Sequence, residues 1–367
     1  MRDVDVAILG GGPAGTAAAL TLRAYSGLRV AVVERSDYER ERVGETVSPG
    51  LQPLLAYLGV WESFQRDGHL PAYGSGAAWG SARLQDRDFL FTGQGDGWLL
   101  DRRRFDLRLA DEVREKGGEL FLRTEVPVCE ADGRGGWRLE LAGTDGRRGT
   151  LQARFLIDAT GKRGGLARRL GAHQKVFDRL VGVTGFFELP PGDRQLATLV
   201  ESAPDGWWYS APLPDGRAVV SFLSDSDVVR RLHLRDPAVW QEAIAATQHV
   251  RERVAGGLLA SPLRVVPAHS RHLDPAGGPG WVAAGDAVAS FDPLSSMGIG
   301  HAVSSGIHAA RVAFDHLGGK GDLLRQYAGA VARNASQYLA LRRRFYLLEQ
   351  RWSDRPFWAR RHQEVVM

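Results

Sequence analysis

Three glycines near the amino terminus have the spacing of a turn that binds a dinucleotide. Gly10, Gly12 and Gly15 follow a short apolar run, and a helical pattern begins at Pro13. The first glycine permits a tight turn, the second lets a pyrophosphate approach the backbone, and the third lets the helix pack closely on the strand. Free N–H groups at the helix start, including that of Ala14, would then face the phosphates. These residues predict a dinucleotide site.

An acidic residue ends the next apolar run, where dinucleotide-binding proteins place a carboxylate for a ribose hydroxyl. Glu34 lies 22 positions after Gly12, near the spacing of about 20 residues that is typical of this motif. Arg35 follows directly and is counted with the predicted site. A plain glycine-rich turn in an α/β protein is the alternative, and the flanking strand and helix patterns favour the dinucleotide.

The elements that position these residues follow from hydrophobic periodicity. Residues 4–9, 13–25 and 28–34 have the patterns of strand, helix and strand, which predicts a parallel βαβ unit. Residues 181–224 are rich in β-branched and aromatic residues, with a hairpin signal at Asp215-Gly216. From residue 299 the pattern is mostly helical. An α/β fold with an inserted antiparallel sheet is therefore expected.

Composition restricts the class of protein. Lys and Arg exceed Asp and Glu by 47 − 43 = 4, and the positive charges are scattered, which argues against nucleic-acid binding. The single cysteine, Cys129, excludes an internal disulfide and a cysteine-built metal site, and it fits a reducing cytoplasm. The amino-terminal apolar run is short and contains Asp5, so we expect neither a signal peptide nor a membrane span.

Three further segments narrow the dinucleotide to FAD. One apolar strand ends in Asp158–Gly161, where small residues let the chain pass close to a cofactor. A second ends in Gly285-Asp286, and a helix begins soon afterwards at Gly298-Ile299. A helix N-terminus directed at a flavin stabilises the anionic reduced ring. The third segment is an Arg-x-x-Phe-Asp-x-x-Leu pattern that starts at Arg102.

In this order the motifs resemble the flavoprotein class that contains para-hydroxybenzoate hydroxylase and the glucose-inhibited-division proteins, over residues 1 to about 316. The resemblance implies FAD, with Glu34 on its ADP half, Arg102 near the flavin ribityl chain or phosphate, and Asp286 on the ribityl–pyrophosphate side. A surface salt bridge for Arg102 and a helix cap for Asp286 are the alternatives. The cofactor-binding residues expected are Gly10, Gly12, Pro13, Ala14, Gly15, Glu34, Arg35, Arg102, Asp158, Gly161, Gly285, Asp286, Gly298 and Ile299.

This resemblance implies a Rossmann-like FAD-binding domain, an inserted antiparallel β-sheet substrate domain and a helical carboxy-terminal segment. Short antiparallel strands are expected over 74–100, with a turn at 94–97. The predicted boundaries are 1–73, 97–178 and 262–316 for the FAD-binding domain, 74–96 and 179–261 for the substrate domain, and 317–367 for the carboxy-terminal segment.

Within that class the chain is most similar to the tryptophan-halogenase superfamily. Three segments resemble its motifs, namely 43–49, 206–213 and 292–299. The first of these segments, 43–49, contains Gly44-Glu45 and is called the Gly-Glu loop below. Halogenation in that superfamily needs a lysine downstream of this loop, whereas the first lysine here is Lys116. A carboxylate and a threonine of its halide site are replaced by Ser295 and Met297. These departures favour flavin chemistry without a halide.

Hydroxylation by a flavin C4a-hydroperoxide needs no lysine, but it needs a dry pocket and groups that orient the ring. The aromatic residues expected to line the pocket are Trp79, Trp98, Phe187, Trp207 and Tyr209, with core packing as the alternative for each. The candidates for orienting the substrate or relaying its proton are Glu45, Asp292 and His301. A helix N-terminus disfavours an imidazolium, so a neutral His301 is expected, and a structural histidine is the alternative.

The carboxy-terminal segment Arg342–Arg361 contains seven arginines interspersed with aromatic residues. A solvated helix with an aromatic face packed on the body is one interpretation, and a surface for an acidic or extended partner such as a peptide is the other. Its end, Trp352–Arg361, is similar to that of flavoproteins that mature tryptophylquinone enzymes or hydroxylate tryptophan within peptides.

The resemblances together imply an FAD-dependent monooxygenase that hydroxylates an electron-rich aromatic, with a tryptophan or indole in a peptide or protein as the expected substrate and O2 as co-substrate. NAD(P)H or a partner flavin reductase would supply the electrons, and a cytoplasmic location is expected. The alternatives are a flavin-dependent halogenase, a reductase of the geranylgeranyl-reductase kind, and a carrier that has lost its redox function.

Overall fold

The computed structural model describes residues 2–88, 96–192 and 196–363. The α-helices of the described residues are α1 (Pro13–Tyr25), α2 (Leu51–Tyr57), α3 (Trp61–Arg66), α4 (Arg102–Glu115), α5 (Gly165–Arg169), α6 (Ser226–Arg231), α7 (Pro237–Ala245), α8 (His249–Arg253), α9 (Gly298–Leu317), α10 (Asp322–Leu347) and α11 (Pro356–Gln363). Short 3₁₀ turns cover Gly161–Arg163, Gly285–Ala287 and Pro293–Ser295.

The strands of the described residues are β1 (Arg2–Leu9), β2 (Val30–Val33), β3 (Thr46–Val47), β4 (Leu70–Ala72), β5 (Gly74–Ala78), β6 (Gln85–Asp88), β7 (Gly97–Leu99), β8 (Glu119–Phe121), β9 (Thr124–Ala131), β10 (Trp137–Gly143), β11 (Arg148–Asp158), β12 (His173–Val176), β13 (Leu180–Glu188), β14 (Ala197–Ala203), β15 (Gly206–Pro212), β16 (Arg217–Asp225), β17 (Leu258–Leu259), β18 (Arg264–Pro267), β19 (Arg271–Asp274), β20 (Gly277–Gly278), β21 (Trp281–Ala283) and β22 (Ala289–Ser290). Most lie in two eight-stranded sheets, and two three-stranded sheets contain the rest.

The first large sheet contains the predicted βαβ unit. Strand β1 pairs in parallel with β2 on one side and with β11 on the other, and β11 pairs in parallel with β21. Every residue of β2 is buried, as expected of a parallel strand covered by helices on both faces. Helices α1 and α9 pack closely because residue 306 is glycine; a Cβ there would lie 2.1 Å from the carbonyl oxygen of Ala14.

The second large sheet is the predicted insertion, and most of it is antiparallel. Strands β13, β16, β15 and β14 pair in that order, and Asp215-Gly216 turns between β15 and β16 as predicted. Strand β5 departs from the prediction because it pairs with β14 in parallel. More than a hundred residues separate these two strands, so no hairpin fixes their direction.

Two strands lie close to the predicted domain boundaries. Strand β18 pairs with β13, although the sequence boundary assigned residues 262–316 to the other domain. Strand β7 pairs with β3 and β4 in a small separate sheet. Residues 94 and 95 of the turn predicted at 94–97 lie outside the described residues.

The carboxy-terminal helices pack an aromatic face on the body, as one of the two interpretations of this segment predicts. Tyr346, Phe357 and Trp358 are buried against Trp207 of the inserted sheet. Arg361 lies 2.9 Å from Asp225, so part of the arginine charge is neutralised inside the protein. Within the described ranges, none of the helices combines the length and apolar character that crossing a membrane requires.

Candidate functional site

Two of the three glycines in the amino-terminal turn are closely packed, and the other borders open space. A Cβ at Gly10, where φ is +107°, would lie 2.2 Å from the carbonyl oxygen of Ala159. A Cβ at Gly15 would lie 1.8 Å from the carbonyl oxygen of Gly10. At Gly12, by contrast, nothing lies within 4 Å of that position. The first and third glycines therefore compact the turn, and the second borders space that a ligand can occupy.

The N-terminal parts of α1 and α9 both lie close to a glycine outside this turn, Gly285. A Cβ at Gly285 would lie 2.7 Å from the Cβ of Ala14 in α1 and 3.6 Å from that of Ala302 in α9. Within the described chain, no side chain caps the first turn of either helix. Open space also borders Gly298 at the start of α9. Uncapped N–H groups beside open space form a site suited to an anionic or electron-rich ligand.

Glu34 supports the turn from beneath. Its carboxylate accepts hydrogen bonds from the backbone N–H of Gly11 at 2.7 Å and from that of Ser36 at 2.9 Å. The hydroxyl of Tyr38 donates to the carbonyl of Gly11 at 2.8 Å and covers the same point. Arg35 is exposed to solvent. The carboxylate therefore already holds the backbone in place, in addition to any contact with a ribose.

Arg102 lies in a charge network between α4 and the Gly-Glu loop, so it is not a surface salt bridge. Its guanidinium donates to the carbonyl of Val43 at 2.6 Å and to Asp106 at 3.2 Å. Asp106 is buried and also accepts from Arg42 at 2.9 Å. The Nε of Arg102 is buried and has no partner among the described residues. Sequence reasoning missed Arg42 and the role of Asp106, although the four-residue spacing of Arg102 and Asp106 on α4 was a signal.

Glu45 directly precedes strand β3 of a three-stranded sheet and is 2% exposed. Its carboxylate accepts from the N–H of Gly44 at 2.9 Å. Burial raises the pKa of Glu45 to about 7, while hydrogen bonding to backbone and Tyr209 and the charge of Arg102 act in the opposite direction. A Cβ at Gly44 would lie 4.0 Å from Cδ1 of Ile299, so this loop reaches the start of α9.

Tyr209 faces the same loop from strand β15. Its hydroxyl hydrogen-bonds that of Thr46 at 2.8 Å. Burial raises the pKa of Tyr209, and the neighbouring charge of Glu45 adds to that increase. The structure therefore brings together Glu45, Tyr209, Arg102 and Ile299, which the sequence had predicted separately as a catalytic candidate, a pocket residue and two cofactor contacts.

His301 lies on the first turn of α9 with its ring edge-on to Phe291, at a centroid distance of 4.7 Å. Burial lowers the pKa of His301, which agrees with the predicted neutral imidazole. The cause given by the structure is burial, whereas the prediction relied on the helix N-terminus. Its Nε2 is buried without a partner among the described residues and is available to a ligand.

Two aspartates among the predicted site residues, Asp158 for the cofactor and Asp292 for the substrate or its proton, are held by hydrogen bonds within the protein. Asp158 is 0% exposed, and its carboxylate accepts from Thr160 Oγ1 at 2.6 Å and from the N–H of Ala167 at 2.9 Å. Asp292 is buried, and it accepts from the N–H of Leu294 and from the Tyr346 hydroxyl. An aspartate directly before a tight turn readily accepts hydrogen bonds from nearby N–H groups, and the carboxylates of Asp158 and Asp292 both do so here.

The five predicted pocket aromatics do not line one pocket. Successive side chains of a strand alternate between faces, so Trp207 and Tyr209 lie on the face opposite Trp208. Phe187 lies on the face of Trp208 and stacks with Trp240 of α7 at 6.0 Å. Trp79 joins the cluster of Trp207 and the carboxy-terminal helices, and Trp98 packs in the other domain core. Two of the five contact the Gly-Glu loop: Tyr209 hydrogen-bonds Thr46 through its hydroxyl, and Trp98 pairs with Val47 through its backbone.

Comparison with known proteins identifies the family of this fold and site. A family model described as an FAD binding domain matches residues 3–340. The chain belongs to this FAD-binding flavoprotein family. Over 365 residues the flavoprotein is 34% identical to LodB of Marinomonas mediterranea, which is described as an FAD-dependent oxidoreductase, and the match covers 99% of this chain and 98% of that protein.

Two solved structures extend the comparison of this flavoprotein. The flavin-dependent halogenase CmlS superposes with a TM-score of 0.88 at 26% identity, and the match covers 100% of this chain and 68% of CmlS. QhpG, a peptidyl tryptophan dihydroxylase essential for tryptophylquinone cofactor biogenesis, superposes with a TM-score of 0.72 at 26% identity. That match covers 98% of this chain and 79% of QhpG. The flavoprotein is thus an FAD-dependent oxidoreductase with a halogenase-like fold.

Proposed function

We propose that this flavoprotein is a monooxygenase that hydroxylates an electron-rich aromatic ring, with a tryptophan side chain in a peptide or protein as its substrate. The observation that carries the proposal is the buried Glu45, whose pKa near 7 suits a proton acceptor at neutral pH. Hydroxylation replaces a ring hydrogen by oxygen, so the ring proton must leave to a base. Similarity to the peptidyl tryptophan dihydroxylase QhpG supports a ring held in a peptide.

The open space and the uncapped helices fit FAD. Gly12 and the first turn of α1 would hold the pyrophosphate, and the first turn of α9, with Gly298, would face the ring. The unpartnered Nε of Arg102 and Nε2 of His301 are polar atoms that such a ligand can satisfy. When bound and reduced, by NAD(P)H or a partner flavin reductase, FAD supplies the activation of O2 from which one oxygen reaches the ring.

Residues of the chain would accept the proton that leaves the ring and limit the access of bulk water to the site. Glu45, ionised above its pKa, accepts the proton that leaves the ring, and the hydrogen bond between the hydroxyls of Tyr209 and Thr46 holds the loop beside it. Arg102 anchors the loop through the carbonyl of Val43. Because Glu45 is buried and Tyr209 is half-buried beside it, this end of the site limits the access of bulk water.

Halogenation is the second candidate because CmlS, a halogenase, has the same fold. Against it stands the sequence, in which the first lysine is Lys116 in the turn after α4. In the structure, the Nζ of Lys116 bonds Glu112 at 3.3 Å and the carbonyls that follow α2. This lysine is therefore engaged at the helix ends of the FAD-binding domain and does not replace the halogenase lysine.

The test uses the purified protein loaded with FAD, supplied with NADPH or a flavin reductase, labelled O2 and a tryptophan-containing peptide. The expected result is a gain of one labelled oxygen atom on the indole, measured by mass spectrometry. Chlorine or bromine incorporation with halide present would instead establish a halogenase, and a gain of two hydrogens on a prenyl substrate would establish a reductase. Glu45→Gln should lose most of the oxygen insertion, whereas the exposed-site control Glu62→Gln should retain it.

A further inference from the structure

Helix α10 has two faces with opposite environments. Its inner face contains Tyr338, Arg342 and Tyr346, which are spaced by four residues and buried against the body. Its outer face contains Leu341, Phe345 and Leu348, the last directly after the helix, and these are 43%, 44% and 61% exposed. Three large apolar side chains at this spacing form a continuous exposed stripe.

The surroundings of this stripe are positively charged. The helix has no acidic residue after Asp322 at its start. Arg333 and Arg344 are 11 positions apart, which is close to three helical turns, so both lie along one edge of the stripe. None of the ion pairs found among the described residues involves either arginine.

A loop of the inserted domain extends the positive surface. The indole N–H of Trp79 donates to the carbonyl of Phe345 at 2.8 Å, and a Cβ at Gly80 would lie 2.7 Å from the carbonyl of Leu348. The loop is thus held against the end of the stripe, and Arg83 follows on it as an exposed residue. Arg83 also forms no ion pair with any residue that the structure describes.

The opposite face of the same helix reaches the candidate site. The hydroxyl of Tyr346 donates to the carboxylate of Asp292 at 2.6 Å and accepts from the indole N–H of Trp207 at 3.0 Å. Asp292 precedes the first turn of α9, and Trp207 lies on the strand that carries Tyr209. A molecule bound to the outer face would therefore rest on the element that connects these two parts of the site.

We infer that the stripe Leu341–Phe345–Leu348, with Arg83, Arg333 and Arg344, is a docking surface for an acidic, apolar-containing segment of a protein substrate. The inference rests on the proposed function, because a tryptophan held in a protein must be presented by that protein. Unpaired arginines beside apolar side chains are complementary to carboxylates interspersed with leucine or phenylalanine. Membrane binding grows with the apolar area that a helix can bury, and three side chains offer little of it, which favours a protein over a membrane.

The test compares two synthetic tryptophan peptides, one with neutral flanks and one with an added acidic–leucine extension. Binding is measured by fluorescence anisotropy with FAD-loaded protein, and oxygen insertion is measured on the same peptides. The extension should tighten binding and lower KM by about tenfold at low salt, and this gain should shrink at high salt. The double variant Arg344→Glu, Leu348→Glu should lose the gain.

The control is Leu258→Glu, Arg147→Glu, which changes an exposed leucine and an exposed arginine away from α10 and should retain the gain. Equal affinity for both peptides, or a gain that survives the α10 variant, would overturn the docking surface. So would binding to anionic vesicles, or dimerisation on size exclusion, that the same variant abolishes. If neither peptide is oxidised while the anisotropy gain persists, the proposed function fails and the docking surface stands.

Discussion

The hydroxyl of Tyr346 donates a 2.6 Å hydrogen bond to the carboxylate of Asp292, joining the carboxy-terminal helix to the loop that leads into α9. Burial raises the pKa of Asp292, and the hydrogen bond from Tyr346 acts against that increase. Tyr338 adds a second bond to the loop, since the N–H of Asp292 donates to its hydroxyl at 2.7 Å. The carboxy-terminal segment is therefore part of the structure that supports the site.

Tyr346→Phe should destabilise the fold by about 1–3 kcal/mol, because it removes the partner of Asp292 Oδ2 and that of the Trp207 N–H, both of which are buried. Urea denaturation followed by tryptophan fluorescence measures the change. Tyr73→Phe, at a site that is 52% exposed, is the matched control and should change stability little. Equal stabilities for the two variants would show that the hydroxyl is not needed.

Gly12→Val should abolish FAD binding and leave the fold intact. Nothing lies within 4 Å of a Cβ at Gly12, so the protein itself tolerates the side chain while the cofactor would not. The flavin absorbance of the purified protein and its circular dichroism separate the two effects. Gly27→Val, another position where a Cβ meets nothing within 4 Å, should keep its flavin. A yellow Gly12→Val protein would disprove the placement of the pyrophosphate.

The sequence predicts best those features that depend on local spacing. The turn at Gly10, helix α1 and the hairpin at Asp215-Gly216 each follow from a few adjacent residues, and the structure confirms all three. The partners of Asp292 could not be predicted, since Tyr346 lies 54 positions away and reaches it only through the packing of α10. The parallel pairing of β5 with β14 has the same origin in long-range topology.

In the candidate site, too, the sequence predicted single residues but not which of them contact each other. Glu45 and Tyr209 were both candidates, but no sequence pattern placed a residue of the Gly-Glu loop against one of strand β15. Phe187 and Trp207 were predicted as pocket residues on the same grounds. Only the register of the sheet shows that they lie on opposite faces. The types of the residues therefore indicated which side chains could act in a reaction. Only the pairing of strands in the folded chain shows which of those side chains lie close together.

Oxygen insertion should rise with pH through about 7 if the ionised Glu45 carboxylate accepts the ring proton. Glu45→Gln should lower the rate and flatten this part of the pH profile. Glu62→Gln, at an exposed carboxylate, should leave the profile unchanged. A wild-type rate that is independent of pH between 6 and 8, under conditions where chemistry limits turnover, would contradict the assignment.

The carboxyl group of Glu45 should also make the free energy of unfolding depend on pH. Because burial raises the pKa of Glu45 from 4.5 to about 7, the folded state binds a proton that the unfolded state has lost between these pH values. The contribution of Glu45 to the free energy of unfolding is largest below about pH 4.5. It falls as the pH rises to about 7, by about 3 kcal/mol at most. Glu45→Gln should therefore gain stability relative to wild type between pH 5 and pH 8, measured by urea denaturation at each pH. If the difference in stability between Glu45→Gln and wild type did not change with pH, the carboxyl group would lie in a more hydrated site.

Tyr209→Phe and Phe187→Ala should separate chemistry from packing on the two faces of one sheet. Tyr209→Phe removes the hydroxyl that bonds Thr46 and faces Glu45, so oxygen insertion should fall about tenfold or more while the fold loses little stability. Phe187→Ala creates a cavity beside Trp240, so it should cost about 3–5 kcal/mol and leave turnover per folded molecule unchanged. Thermal unfolding and single-turnover assays on each variant measure the two quantities. The reverse outcome, with Phe187→Ala impairing turnover and Tyr209→Phe leaving it intact, would move the substrate to the other face of the sheet.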